Sequence, residues 1–285
     1  MSSPAHCLRN TANLLAGVSD TPRLDAELLM AHALGISRSE LLLGQMDLTV
    51  PKDFQALVDR RMANEPIAYI TGKQAFWDLD LEVNSDVLIP RADSETLIEM
   101  ALESFQATSG PARILDLGTG SGALLLAALS VFPNAKGIGV DASADALAVA
   151  RVNTRQLGLG DRANLVHASW HDPDLIDRLG TFDLILCNPP YVEDDAILAP
   201  MVAEHEPHSA LFAGPYGLDE YQVLIPILPL LLAPGGYAIF EIGHRQVDAV
   251  TNLARTSGFS TEIRNDLNGN PRSLRFSLGI VSAGR

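Results

Sequence analysis

The chain has 285 residues, and its apolar fraction of 47% suffices for one or two globular domains with a buried core. Asp and Glu outnumber Lys and Arg by 35 to 20, and the net charge of −15 disfavours direct binding to nucleic acid because phosphates attract cationic side chains. Two cysteines, no signal sequence and no apolar run long enough for a bilayer indicate a cytoplasmic protein with no disulfide framework and no membrane partner.

Residues 1–75 are predicted to form a small helical domain. Apolar residues recur at helical spacing from Leu24 to Leu34, directly after Thr21 and Pro22, a pair typical of a helix start. Further helices are predicted over Ser39–Leu43 and Pro51–Ala63.

The stretch 75–90 then alternates apolar and polar side chains, which indicates a short hairpin. A change of pattern of this kind is typical of a junction between two domains. We therefore place a hairpin linker at 76–92 and a second domain at 93–285.

Short apolar runs alternate with helical segments from Ala112 onward, a pattern typical of βαβ units and of a parallel sheet covered on both faces. The predicted strands are Arg113–Leu117, Gly137–Val140, Asn164–His167, Phe182–Cys187, Tyr237–Ile242, Ser260–Arg264 and Ser273–Leu278. The turn between the last two is too short for a parallel connection. The sequence therefore predicts an α/β fold whose mostly parallel, seven-stranded sheet contains one antiparallel strand.

A glycine-rich loop, 116–122, lies between the first predicted strand of this sheet and a helix. Its three glycines at alternating positions allow a tight turn and let a ligand lie against bare backbone. Asp141 ends the next strand about twenty residues later, the spacing at which a carboxylate accepts hydrogen bonds from ribose hydroxyls. Dinucleotide enzymes have a different glycine spacing, and this loop with Asp141 resembles the class I S-adenosylmethionine-dependent methyltransferases. The alternative is a plain strand-to-helix turn followed by a helix-capping aspartate.

The strand 182–187 is followed by Asn188, Pro189, Pro190 and Tyr191, at the end of the sheet where ligands bind in open α/β folds. An amide or aromatic amino nitrogen delocalises its lone pair and is a weak nucleophile. The Asn188 side-chain oxygen and the Pro189 carbonyl are two acceptors that can hold and align such a nitrogen. Tyr191 offers an aromatic face for a planar group. The alternative is a turn that contains a proline pair.

Other stretches carry a more specific similarity. They are Phe76–Trp77, Val87–Glu95, Glu204–Leu211, Gly217–Asp219, Leu232–Gly236, Glu241–Gly243 and Asp266–Arg272. With these, the chain resembles, over nearly its whole length, the protein-(glutamine-N5) methyltransferases of peptide chain release factors, the PrmC/HemK family. Two positions depart from the family pattern: Ala92 replaces a proline and Tyr216 replaces an aspartate.

The resemblance implies methyl transfer from S-adenosylmethionine to the side-chain amide of the glutamine in the Gly-Gly-Gln (GGQ) loop of a release factor, which the N-terminal helices would dock. It implies cofactor contacts with Gly118, Thr119, Gly120, Ser121, Gly122, Asp141, Trp170 and Asn188, with Trp170 close to the adenine. The substrate glutamine would contact Asn188, Pro189, Pro190 and Tyr191, of which Asn188, Pro189 and Tyr191 are the catalytic candidates. Arg91 and Glu95 would line the cleft between the domains, and no metal ligands are expected.

Three other functions share some of these motifs. A glutamine methyltransferase acting on a ribosomal protein would carry the same loop and the same Asn-Pro-Pro-Tyr. An adenine-N6 nucleic-acid methyltransferase uses that motif on a flipped base, but the acidic charge disfavours it. A non-catalytic cofactor-binding protein would have no need of Asn188 and Tyr191.

Overall fold

The computed structural model describes residues 4–44 and 49–279. Contacts within the chain group them into two units, the first drawn from Met1–Lys73, Val83–Ser85 and Leu198–Glu206, and the second from Gln74–Glu82, Asp86–Ile197 and Pro207–Arg285. The helices are α1 Pro4–Leu15, α2 Pro22–Leu34, α3 Arg38–Leu43, α4 Phe54–Met62, α5 Ile67–Thr71, α6 Glu95–Phe105, α7 Ala123–Val131, α8 Ala144–Gln156, α9 Leu175–Leu179, α10 Pro200–His205, α11 Asp219–Leu231 and α12 Val247–Thr256. The strands are β1 Lys73–Phe76, β2 Leu79–Glu82, β3 Arg113–Leu117, β4 Lys136–Asp141, β5 Ala163–His167, β6 Phe182–Cys187, β7 Leu232–Glu241, β8 Phe259–Asn265 and β9 Pro271–Leu278.

The first unit is built from α1–α5 and α10, and the three predicted helices are confirmed with small shifts. α3 begins with a capping box, in which Ser37 and Glu40 each accept a hydrogen bond from the backbone of the other. α4 begins at Phe54 and not at Pro51, because a turn intervenes in which the Phe54 N–H donates to the Pro51 carbonyl.

Apolar faces of the helices enclose the core of the first unit. Its fully buried side chains include Leu8, Leu15, Leu29, Met30 and Leu41. One ion pair is buried beside them: Arg61 donates to Asp25 at 2.8 Å and to the Val18 carbonyl at 2.9 Å. Because each charge is hydrogen-bonded, removal of either partner would leave the other uncompensated.

The predicted hairpin is present as a two-stranded sheet of β1 and β2, and it is shorter than the stretch of alternating residues. Trp77 lies in its turn with a φ of +55°. The Trp77 N–H donates to the Glu95 carboxylate at 2.8 Å, which ties the turn to the start of α6.

The large sheet of the second unit has seven strands in the order β5-β4-β3-β6-β7-β9-β8. All pairings are parallel except those of β9, which runs antiparallel to both β7 and β8. The predicted fold is therefore confirmed. From β3 the chain continues to β4 on one side and later to β6 on the other. The ends of these three strands consequently form the crevice in which open α/β sheets bind ligands.

Helices cover both faces of this sheet, and each central strand contributes to both cores. On β3, Ile114 packs on one side, and Leu115 and Leu117 pack on the other. On β6, Leu184 and Ile185 divide in the same way. Strands buried on both faces read as continuous apolar runs, which is why they are visible in the sequence.

Candidate active site

The glycine-rich loop leaves the end of β3 and leads into α7. Gly118 has a φ of +74°, and a Cβ built on it would lie 3.2 Å from the Trp170 ring. Both the Gly118 and the Thr119 N–H groups donate to the Val140 carbonyl at the end of β4, at 2.9 and 3.0 Å. The loop is therefore bound to the neighbouring strand, and its bare backbone lets the indole approach closely.

Beside the loop lies a cavity of about 410 Å³, lined entirely by residues of the second unit. The predicted site residues that line it are Gly118, Thr119, Gly120, Ser121, Asp141, Trp170, Asn188 and Pro190. Three others, Gly122, Pro189 and Tyr191, are absent from its wall. The cavity thus brings seven of the eight predicted cofactor residues and two of the four predicted substrate residues to one place, with a volume in the range of small-molecule sites.

Asp141 ends β4 with both carboxylate oxygens already held. Oδ2 accepts from the Gly120 N–H and Oδ1 accepts from the Ser143 N–H, each at 2.8 Å. A carboxylate oxygen can accept more than one hydrogen bond, so Asp141 keeps acceptor capacity on the cavity side. The two backbone donors fix its orientation.

Asp116 lies one residue before the end of β3 and is buried. Its Oδ2 accepts from the Thr119 hydroxyl at 2.6 Å and from the Leu125 N–H at 3.2 Å. Oδ1 is buried without a hydrogen-bond partner in residues 4–44 and 49–279. Burial raises the pKa of Asp116 to about 7, although the two hydrogen bonds oppose the shift.

Trp170 follows β5 and is held by a carboxylate. Its indole N–H donates to Glu220 at 2.5 Å, and His171 lies 3.2 Å from the same carboxylate oxygen. Because Glu220 and Trp170 both line the cavity, α11 fixes the face that the indole presents there.

Asn188 and Tyr191 leave the end of β6 in different directions. The Asn188 side-chain N–H donates to the Ser94 hydroxyl at 3.4 Å, and both residues line the cavity. The Tyr191 hydroxyl donates to the buried carboxylate of Glu241 at 2.9 Å, and its ring packs against the core. Burial and the Glu241 charge raise the pKa of Tyr191, so the phenol stays protonated at neutral pH.

Gln246 holds the backbone behind Tyr191. Its side-chain N–H group donates to the carbonyls of Tyr191 and Gly217 at 3.0 Å and to that of Tyr216 at 3.2 Å. Its side-chain oxygen accepts from the Gly243 N–H at 3.1 Å. One buried amide thus joins three segments of the chain.

Replacement of Gly217 by Ala should destabilise the protein strongly. The new Cβ would lie 2.1 Å from the Tyr191 carbonyl oxygen, in a backbone with a φ of +62°. We expect the free energy of unfolding, measured with urea, to fall by about 3 kcal/mol or more. Gly258→Ala is the matched control, because its φ is +86° but no atom lies within 4 Å of the new Cβ. An equal loss of unfolding free energy in both variants would show that the backbone at Tyr191 moves away from the new Cβ at little cost.

Four residues of the site were not predicted from the sequence. Ser94 and Glu241 lie within the matched stretches Val87–Glu95 and Glu241–Gly243 but had no role assigned. Glu220 directly follows the stretch Gly217–Asp219, and Gln246 lies three residues after Gly243. Position next to a recognised stretch was the available signal, and it does not say what a side chain contacts.

A seven-stranded sheet of this order, with a glycine-rich loop at its switch point and a carboxylate ending the next strand, defines a class I methyltransferase fold. Residues 109–250 match the family model of a methyltransferase domain, and residues 6–72 match that of the PrmC N-terminal domain. A solved methyltransferase from Pyrococcus furiosus has the same fold, with a TM-score of 0.51 and 21% identity over 78% of this chain and 98% of that one.

Two relatives match most of the chain. The release factor glutamine methyltransferase of Rhodospirillum rubrum is 42% identical over 91% of this chain and 80% of its own length. That of Caulobacter vibrioides is 40% identical over 87% of this chain and 86% of its own length. The chain belongs to the release factor glutamine methyltransferase family, and the resemblance stated from the sequence is confirmed.

Two findings concern other classes of site. In the described part of the chain, no helix combines the length and the apolar character needed to cross a membrane. Within the same residues, no three His, Cys, Asp or Glu side chains are grouped so that they could hold a metal ion.

Proposed function

We propose that the protein methylates the side-chain amide nitrogen of the glutamine in the GGQ loop of peptide chain release factors, in the cytoplasm. The observation that carries the proposal is the position of Asn188, which lines one cavity together with the glycine-rich loop, Asp141 and Trp170. The names of the relatives support a release factor as the substrate.

S-adenosylmethionine is the proposed cofactor, and it supplies an electrophilic methyl group on a positively charged sulfonium. The residues present fit it. Gly118 and Gly120 leave bare backbone at the cavity wall, and Asp141 has acceptor capacity for ribose hydroxyls. Trp170 offers an indole face whose orientation Glu220 fixes, which supports an adenine site there.

Replacement of Asp141 by Ala should weaken the binding of S-adenosylmethionine. The loss of a charged acceptor for ribose, together with the freed Gly120 N–H, is expected to cost about 1–3 kcal/mol in binding free energy. Titration calorimetry measures it. Asp145→Ala removes an exposed carboxylate from the first turn of α8 and serves as the control. Equal affinities in the two variants would contradict the ribose assignment.

On the substrate side, the proposal needs two acceptors and no general base. The Asn188 side-chain oxygen and the Pro189 carbonyl would accept hydrogen bonds from the two N–H bonds of the glutamine amide. This arrangement fixes the nitrogen in position for attack and excludes amides that cannot offer both hydrogens. The proton can leave once the nitrogen is cationic. The raised pKa of Tyr191 makes the phenol unsuited to act as the base.

The helical region 1–75 is the proposed docking element for the release factor, before the linker 76–92 and the catalytic domain 93–285. The match of residues 6–72 to the PrmC N-terminal domain supports this division of labour. Docking outside the active site predicts a higher kcat/KM for an intact release factor than for a short peptide containing Gly-Gly-Gln. Equal values would remove the docking role.

The decisive experiment offers several substrates at once. The protein is incubated with isotope-labelled S-adenosylmethionine and with release factors, ribosomal proteins or DNA, and the label is located by mass spectrometry. We expect label on the GGQ glutamine alone. A release factor with that glutamine replaced by asparagine is the control and should stay unlabelled. Label on a ribosomal protein or on adenine would replace the proposed substrate by the corresponding alternative.

A further inference from the structure

A buried carboxylate lies behind the two side chains of the Asn-Pro-Pro-Tyr segment. Glu241 ends β7, is 1% exposed, and uses both oxygens as acceptors. Oε2 accepts from the Ser94 hydroxyl, and Oε1 accepts from the Tyr191 hydroxyl at 2.9 Å. An ionised carboxylate only accepts, so both hydroxyl hydrogens are directed toward Glu241.

This direction determines what Ser94 can offer Asn188. A hydroxyl has one hydrogen, and that of Ser94 is held by Glu241, so Ser94 presents a lone pair to the Asn188 side-chain N–H at 3.4 Å. The amide nitrogen of Asn188 therefore faces Ser94 and the oxygen lies on the other branch. Among residues 4–44 and 49–279, that oxygen accepts no hydrogen bond, which leaves it open to a substrate.

We propose that Glu241 is a positioning residue, which sets the direction of the hydrogen-bond chain Asn188–Ser94–Glu241 and thereby turns the oxygen of Asn188, not its nitrogen, toward the substrate amide. The inference rests on the proposed function for the identity of that amide. Glu241 acts through Ser94 and touches no reacting atom.

The opposite direction of the hydrogen-bond chain would prevent Asn188 from accepting a hydrogen bond from the substrate amide. If Glu241 gave Ser94 a donor, the Ser94 hydrogen would turn toward Asn188, where only the side-chain oxygen can accept it. The Asn188 amide would then rotate by half a turn and present its NH₂ group to the substrate NH₂ group. Two donors facing each other cannot form the hydrogen bond that aligns the nitrogen.

The surroundings of Glu241 have opposite effects on its pKa. Burial raises its pKa, the hydrogen bonds from Ser94 and Tyr191 and the charge of Arg272 lower it, and Asp93 raises it, with a raised value as the result. The titratable groups that face it are Tyr191, Arg272, Asp93, Cys187 and Tyr221. Protonation should therefore begin at a higher pH than in an exposed glutamate, and the methylation rate should fall as the pH is lowered through that range.

Glu241→Gln is expected to reverse the direction of the hydrogen-bond chain Asn188–Ser94–Glu241 while keeping the side-chain volume. The amide has one oxygen and one NH₂ group where the carboxylate has two oxygens, so only the hydroxyl that faces the remaining oxygen keeps its acceptor. In the described part of the chain the Tyr191 hydroxyl donates to Glu241 alone, whereas the hydrogen of Ser94 can turn to Asn188, so the new NH₂ group faces Ser94. We expect the single-turnover methylation rate at saturating cofactor to fall about tenfold to a hundredfold, with cofactor affinity unchanged.

A double-substitution cycle separates chain direction from packing. Asn188→Asp alone should be slow, because a carboxylate meets the lone pair of Ser94. Combined with Glu241→Gln, the Ser94 hydrogen is free to donate to that carboxylate, and an acceptor oxygen still faces the substrate. If the two substitutions acted independently, the relative rate of the double variant would be the product of the two single-variant relative rates. We expect the double variant to be at least about tenfold faster than that product. Independent, multiplicative effects would show that Glu241 only packs, and would overturn the proposal.

The matched control is Thr96→Val, which removes a buried hydroxyl two residues from Ser94. Thr96 and Ser273 share a hydrogen bond at 2.5 Å, so the melting temperature should fall while the methylation rate is retained. If Glu241→Gln does not fold, Ser94→Ala takes its place in the cycle, because removal of the lone pair also relieves the carboxylate in Asn188→Asp. Additive effects in that cycle would equally overturn the proposal.

The substrate is checked first on the unaltered protein. If it leaves release factors unlabelled, the proposed function fails, and the cycle is measured on the planar nitrogen that it does methylate. A coupling there would preserve the role of Glu241 under another substrate, and its absence would end that role as well.

Discussion

Asn188→Ala is expected to lower the rate of methyl transfer to a release factor by about a hundredfold or more, because the substrate nitrogen loses an acceptor that aligns it. Pro189 and Pro190 still restrict the backbone, so the turn after β6 should persist. Single-turnover kinetics at saturating cofactor measure the transfer step.

Two further variants define that result. Asn188→Asp keeps an acceptor but adds a negative charge. This variant should still bind the cofactor, but its rate of methyl transfer should be low. Asn252→Ala removes an exposed asparagine from α12 and should leave the rate unchanged. A near-normal rate in Asn188→Ala would show that Asn188 is a turn residue and that the catalytic assignment is mistaken.

The second large effect is a pH dependence of stability that originates in Asp116. Its pKa lies near 7 in the folded protein against an ordinary value of 3.8, so the folded chain holds a proton that the unfolded chain releases. The stability contributed by this group is complete below the ordinary pKa and is lost as the pH rises through the folded value. Over that window the loss amounts to roughly 4 kcal/mol.

Asp116→Asn removes this titration and retains an oxygen that can accept from the Thr119 hydroxyl. The variant and the unaltered protein should therefore have similar free energies of unfolding near pH 4. As the pH rises toward 8, the variant should become the more stable by up to roughly 4 kcal/mol. Urea unfolding across this range gives both curves, and their difference cancels other titrating groups such as Glu241. Parallel curves would show that Asp116 titrates normally.

Much of the fold could be predicted from the sequence because its signals are local. The strands β3 and β6 have the predicted bounds, since strands buried on both faces appear as continuous apolar runs between turn residues. The predicted start of β7 at Tyr237 is wrong, because the strand begins at Leu232. Its first half contains Pro234 and two glycines, residues typical of turns, and its pairing with β6 has a register irregularity.

The fold places some of the predicted site residues in the cavity wall and others outside it. Asn188, Pro190 and Asp141 lie in the cavity wall, whereas Tyr191 has its hydroxyl on Glu241 and its ring in the core. An aromatic residue after a strand is compatible with either position. The choice depends on a carboxylate 50 residues later in the chain, which local patterns cannot reveal.

The sequence by itself determined the glycine-rich loop, the acidic residue that ends β4 and the segment that follows β6, because each depends on backbone conformation and on residue types within a few positions. Only the tertiary structure decided which side chains hold these elements. Ser94 and Glu241 are 147 residues apart, and their hydrogen bond exists because α6, which begins directly after Ser94, packs against β7. Burial then makes the direction of that hydrogen bond matter, since neither group can exchange it for water.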